Sequence, residues 1–196
     1  MDRVVGALLP VSRIIDACNS RIGRALSWLV LAAVLVSAIN ATVRKLFDLS
    51  ANWALELQWV LFGTVFLLCS PWTLSANEHI RIDIVNNMLP KGLRNWIDLV
   101  GHTLFLLPLT IVMTVTSLPF FIRSYSIDEQ SFSAHGLPQW PAKGLILAAF
   151  VLLLLQAISE LIKRIAVMRG LIPDPHVARP SLEVEAEHLM DVVERR

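Results

Sequence analysis

Four long apolar blocks dominate the sequence, and their lengths set the first expectation. Ala25 to Val43 (ALSWLVLAAVLVSAINATV) carries no charge, with Arg21 and Arg24 before it and Arg44 and Lys45 after it. At 1.5 Å rise per residue this block covers roughly 29 Å, close to the thickness of a bilayer's hydrocarbon layer. The second block, Trp53 to Ala76, holds one charge, Glu56. The third runs from about Trp96 to Ile122, with Asp98 and His102 near its start and Pro108 inside. The fourth runs from about Ala142 to Ile162, with Lys143 at its start, Gln156 inside and Glu160 near its end. A backbone crossing lipid must satisfy its own hydrogen bonds, so blocks this long predict helices rather than barrel strands. The pattern predicts an all-α integral membrane protein with four transmembrane helices, at about 25–43, 53–76, 96–122 and 142–162.

The connecting segments have patterns of their own. Val4, Leu8, Val11, Ile15, Cys18 and Ile22 recur at alternating spacings of four and three, which places them on one helical face. Arg3, Arg13 and Arg21 fall mostly elsewhere. This predicts an amphipathic helix over 1–24, lying on the inner membrane surface and bent or started at Pro10. After the second span, Ile80, Ile84, Val85 and Met88 mark another short amphipathic face that stops at Pro90. A transmembrane domain over 25–165 then leaves a C-terminal tail, 166–196. The tail opens on Pro173, Pro175 and Pro180 and continues with Leu182, Ala186, Leu189 and Val193 on one side of a short helix. No internal repeat is evident, so inverted-repeat transporter architecture is not expected.

Composition sharpens this picture. Apolar residues make up 55% of the 196 and charged residues only 17%, where globular domains sit near a quarter charged. Mean hydropathy is +0.61. Four spans leave only short loops and two modest tails, with no room for a separate soluble domain. The net charge of +1 gives no footprint for nucleic acid. Of the 17 Lys and Arg, 13 lie in the N-terminal tail, the loop between spans two and three, and the C-terminal tail; Arg44, Lys45, Arg123 and Lys143 lie on the other side. Positive charge favours the cytoplasm, which predicts both termini and the middle loop inside. Trp28, Trp53, Trp96 and Trp140 fall near span ends, as an aromatic belt requires. The first apolar run starts too late for a cleavable signal peptide. The two cysteines, Cys18 and Cys69, form neither a disulfide framework nor a CxxC motif.

An ionisable group inside a span is a functional candidate, because burying its charge is costly. Glu56 could serve as an ion or proton site. The preferred expectation is an interhelical contact to Arg44, Lys45 or Asn40, since a transport route needs several converging polar groups. Asp98 and His102 are spaced i, i+4, so the carboxylate could orient the imidazole. No other histidine lies in a span, so a structural pair is expected rather than a cofactor ligand. Gln156 is read as an interhelical hydrogen bond, and Pro108 and Pro119 as bends in span three. No Ser-His-Asp order, HExxH or GxxxxGK[ST] occurs, so neither an enzyme nor a cofactor is expected.

After span two the chain reads Asn77-Glu78-His79-Ile80-Arg81-Ile82-Asp83, then Leu89-Pro90 and Arg94. This stretch resembles the signature of the small membrane subunit of TRAP transporters, the tripartite ATP-independent periplasmic carriers. Glu56 within Trp53-Ala54-Leu55-Glu56-Leu57-Gln58-Trp59 also fits that family, as do the four spans, so the resemblance covers about residues 20–170. The outer segments Glu129-Gln130-Ser131 and Gly136-Leu137-Pro138-Gln139-Trp140-Pro141-Ala142-Lys143 look like the branch associated with mannitol, chloroaromatic or 2-oxo acid uptake. The resemblance implies a bacterial inner membrane, a large translocating membrane subunit and a periplasmic solute-binding protein as partners, and a sodium or proton gradient as driving force. It makes Glu56, His79, Arg81, Asp83, Arg94 and Gln156 candidates for interface or structural polar roles. The rival expectations are a haem and quinone anchor of a respiratory complex, which needs facing histidines that His102 alone does not supply, and a self-sufficient homo-oligomeric exporter.

Overall fold

The first helix of the computed structural model, which describes residues 2–47, 52–76 and 91–172, does not stop where the apolar block begins. Helix α1 runs unbroken over Asp2–Phe47, joining the expected surface helix to span one. Pro10 removes one helical hydrogen bond near the start but does not end the helix. Gly23, at the junction, serves close packing: a Cβ there would lie 2.5 Å from the Trp72 ring of the second span. A helix of 46 residues is about 69 Å long, more than twice the hydrocarbon thickness. Its first half therefore continues well beyond the apolar block.

The orientation of that first half differs from the expectation in one respect. Leu8, Val11 and Ile14 are exposed, as a lipid-facing stripe should be. The opposite face, however, is not in water. Ser12 and Asn19 are buried there, against the last long helix.

Helix α2 spans Asn52–Ala76. Span three is built in three pieces: α3 (Lys91–Gly101), a π-helical turn (His102–Leu106) and α4 (Leu107–Ser126). The backbone N–H of Leu107 reaches back to His102 O, five residues earlier. Pro108 explains the wide turn. It has no N–H, and its ring crowds the carbonyl one turn back, so the helix widens ahead of it instead of breaking. Helix α5 covers Trp140–Met168 and starts on Pro141, whose fixed φ suits a first turn. Among the described residues four helical stretches are long and apolar enough to cross a membrane: Val5–Phe47, Asn52–Ala76, Trp96–Ser126 and Trp140–Met168. The short face over Ile80–Met88 and the tail from Pro173 onward lie outside the described residues.

Helix α5 is the hub, touching α1, α2, α3 and α4, while α1 and α2 also pack on each other. The contacts are made by small residues. Ala33, Ala54, Ala149, Ala157 and Ala166 are buried, as are Thr110, Ser117 and Ser124, which recur every seven positions on α4. Gly144 of α5 sits against Phe121 of α4, with 3.1 Å to a Cβ built there. Large side chains point outward instead: Phe66 is 80% and Phe105 74% exposed. Lipid tails are as apolar as Leu, so helices in a bilayer gain little by burying Leu and Phe against each other, and more by bringing backbones close. Thr110 and Ser117 turn their hydroxyls onto the carbonyls of Leu106 and Met113 in their own helix, so their polarity costs nothing at the contact.

Candidate functional site

Two polar centres occupy opposite ends of the bundle. At the end that the charge distribution is expected to place outside, called the outer end, α4 and α5 are joined by residues 127–139, a compact loop closed by Gln139 N–H donating to Glu129 O at 2.8 Å and by an antiparallel bridge, Gln130 to Pro138. Asp128 and His135 take left-handed backbone angles (φ 45 and 57) to make its corners. The loop is tied to the start of α2. Glu56 accepts a hydrogen bond from the Ser131 hydroxyl and another from Leu137 N–H at 2.7 Å. Asn52 donates to Ala134 O at 3.2 Å. The Glu56 carboxylate lies so close under the loop that residue 136 must be glycine: a Cβ there would stand 2.8 Å from Glu56 Oε1 and 2.5 Å from Ser131 Cβ.

Glu56 therefore does not meet Arg44, Lys45 or Asn40, the partners expected from depth alone. Its partners come from a loop more than seventy residues later, whose backbone N–H outcompetes mobile cations because it is fixed in place. Beside it, Lys143 pairs with Glu129 and lies 4.2 Å from the centre of the Phe120 ring. The Glu129 carboxyl is held below its ordinary value, chiefly by the hydrogen bond from the Lys143 ammonium, with the Arg123 charge adding to it. Between α2, α5 and this loop lies a cavity of about 490 Å³ with Glu56, Ser131 and Glu129 at its polar end and Val60, Leu67 and Ile146 along its apolar one. Phe132, at the loop's tip, is fully exposed.

At the opposite, inner end, α1 is fastened to α5 mainly by side chains. Gln156 is wholly buried and uses both ends of its amide: Oε1 accepts from Asn19 Nδ2 at 2.7 Å, and Nε2 donates to Asp16 Oδ1 at 2.8 Å and to Glu160 Oε1 at 3.0 Å. The hydroxyls of Ser12 and Ser159 meet at 2.7 Å. Lys163 closes the set with ion pairs to Asp16 at 3.0 Å and to Glu160. One turn further on, Arg164 reaches Asp98 of α3 at 2.9 Å. Asp98 is thus the partner of an arginine and not of His102 through its carboxylate. The His102 imidazole bonds the backbone carbonyl of Asp98 instead, at 2.7 Å. The expected i, i+4 side-chain pair is replaced because an arginine on the neighbouring helix offers the carboxylate a full charge.

Of the six residues singled out in the sequence, Glu56 and Gln156 stand at the two centres. His79, Arg81 and Asp83 lie outside the described residues, and Arg94 lies on α3 with its side chain outside them. The sequence reading missed Ser12, Asp16 and Asn19, and their partners Ser159 and Lys163. The signal was present. Ser12, Asp16 and Asn19 are spaced i, i+4, i+7, as are Gln156, Glu160 and Lys163, so each set forms a polar stripe on one helical face.

In both centres the polar groups of one helix are bonded to another part of the same chain. A family model for tripartite ATP-independent periplasmic transporters, DctQ component, matches residues 33–167. The chain has no match among curated proteins. Neither a respiratory anchor nor a self-sufficient exporter is supported by that match. The matched stretch takes in Glu56, the outer loop, Gln156 and Lys163, together with the outer part of span one and nearly all of the other three spans. The chain belongs to the DctQ family, the small membrane subunits of TRAP transporters.

Proposed function

We propose that this subunit supports the large translocating subunit and helps receive the periplasmic solute-binding protein, in the inner membrane with both termini cytoplasmic. The transporter it serves takes up an organic acid or similar small solute by symport with sodium or protons. One observation carries the supporting role: the buried polar side chains Glu56 and Gln156 are spent within the chain. Glu56 is bonded to its own outer loop and Gln156 to three partners on α1 and α5. Groups engaged in this way are poor candidates for a solute or ion path. Both are also buried, so the surface offered to a large subunit lies on other faces, such as the outward aromatic row Trp59, Phe62 and Phe66 on α2. Phe132, fully exposed on the outer loop, is a candidate contact for a protein on that side.

The deciding experiment is co-expression. Made with its large subunit, the protein should accumulate and melt at a higher temperature than when made alone, because a partner that binds only the folded state stabilises it. Equal yield and equal melting temperature would refute the supporting role. Orientation is checked with an impermeant thiol reagent on a background with Cys18 and Cys69 replaced by serine. Ser133→Cys should label from outside intact cells and Arg169→Cys should not.

A further inference from the structure

We propose that the groove between the outer ends of α1 and α2 binds the headgroup and glycerol region of one anionic phospholipid. The groove encloses about 550 Å³ and is lined by Ser37, Asn40, Arg44 and Lys45 from α1 and by Leu55 and Gln58 from α2. Charge is the first reason. Four cations lie on the side opposite the other thirteen, and two of them are accounted for: Lys143 pairs with Glu129, whose carboxyl also feels Arg123. Glu56, the acid on the facing helix α2, turns its carboxylate away to the outer loop. Arg44 and Lys45 stand exposed at the mouth of the groove, side by side where the apolar block ends.

Depth is the second reason, and it chooses among anions. Arg44, Asn40 and Ser37 share one face of α1, and two turns separate the first from the last, about 10 Å along the helix. The groove therefore starts at the charged boundary and descends into the apolar zone while staying polar. A phospholipid has this layout, with a phosphate above and glycerol and ester oxygens below. The Arg44 and Lys45 cations suit the phosphate, and the Asn40 and Gln58 amides and the Ser37 hydroxyl suit the oxygens beneath it. A soluble anion has no use for the deeper groups, and a docked protein surface would reach only the mouth. The site needs a membrane–water boundary but not a particular leaflet, so it stands apart from the orientation proposed above.

The full-length protein, purified in detergent and stripped of lipid, is mixed with equal phosphatidylglycerol and phosphatidylcholine, and retained lipid is counted by native mass spectrometry. One phosphatidylglycerol should be retained over phosphatidylcholine by about tenfold, the scale expected of two cations at a bilayer surface. The double variant Arg44→Gln with Lys45→Gln should retain the two lipids equally, and Arg123→Gln should behave as wild type. Asn40→Leu keeps both cations but fills the deeper groove, and should also lose most of the preference. Four outcomes overturn the proposal. These are no preference in the wild type, an unchanged preference in the double variant, full retention in Asn40→Leu, and displacement of the lipid by millimolar inorganic phosphate. Loss of binding to an acidic soluble partner in the double variant, with lipid retention unchanged, would assign the groove to a protein instead.

Discussion

The two ends of the bundle are both held by buried polar groups, yet they are built by different rules. At the inner end, helix meets helix: Ser12, Asp16 and Asn19 of α1 face Gln156, Ser159, Glu160 and Lys163 of α5, side chain to side chain. Each partner sits on a rigid rod, and the register of two helices aligns the whole set together. At the outer end, helix meets loop. Glu56 holds a backbone N–H and a hydroxyl of the 127–139 segment, and the loop has a conformation only because Gly136 leaves room for the carboxylate. A helix–helix tie distributes its strength over many contacts, so single losses are softened. A helix–loop tie concentrates it in one acid and one glycine, so a steric error there has nowhere to go.

The largest effect should therefore come from the smallest residue. Gly136→Val puts carbon where Ser131 and Glu56 already are, and the loop must leave α2; forced overpacking of this kind costs roughly 1–3 kcal/mol. A lower melting temperature and faster proteolysis between α4 and α5 would show it. A neutral Gly136→Val would mean that the outer tie tolerates displacement as the inner one does.

Next comes Gln156→Leu, which deletes the amide at the middle of the inner set. Asn19 loses an acceptor, and Asp16 and Glu160 each lose a donor. A buried polar group left unsatisfied costs about 1–3 kcal/mol, but hydrogen bonds between membrane helices average only about 0.6. The measured loss should fall nearer the lower value, because Lys163 still pairs with both acids. Lys163→Met in the same background should then cost more than it does alone, and a double-mutant cycle reads that coupling directly. Strict additivity would show that the inner contacts act independently.

Glu56→Gln should be milder still. Its amide can turn so that oxygen faces Leu137 N–H and nitrogen faces the Ser131 hydroxyl, keeping both contacts while losing the charge. Because both contacts survive, the cost should stay below about 0.6 kcal/mol, the average for a hydrogen bond between membrane helices. The assembled transporter should keep its dependence on sodium or protons. Normal assembly with an altered ion stoichiometry would move Glu56 from a tie to a coupling site.

The smallest effect concerns pH and Glu129. Its carboxyl titrates below the ordinary 4.5 in the folded loop, because of Lys143 first and then the other groups around it. A depressed carboxyl adds stability that is fully present above its unfolded value and disappears as pH falls through the folded one. The loop should therefore become more protease-sensitive only in that acidic window, and Glu129→Gln should flatten the dependence. As a half-exposed ion pair it is screened by solvent, and only a small change is expected.

How much of this was legible beforehand depended on whether a contact was local. Span lengths, the four-helix plan and the candidate status of Glu56 and Gln156 follow from apolar block length and from the cost of a polar group in lipid. Those are properties of short stretches of chain. The family resemblance was likewise local, carried by His79, Arg81, Asp83, Arg94 and the sequence around Glu56. The polar stripes on α1 and α5 were also written in the spacing, but their meaning was not. A stripe at helical period says which side chains share a face, and says nothing of whether water or another helix lies opposite. In the 1–24 segment the apolar stripe was the more visible signal, and it concealed that the polar one was the contact.

Sequence alone determined that this chain crosses a membrane four times as helices, because each span must satisfy its own backbone and the hydrocarbon layer sets its length. Only the tertiary structure decided which polar group meets which. Glu56 lies equally near Arg44 by depth, and Asp98 lies nearer His102 by sequence. Contacts between residues far apart in the chain, Glu56 with Leu137 and Asp98 with Arg164, gave the first to a loop amide and the second to an arginine.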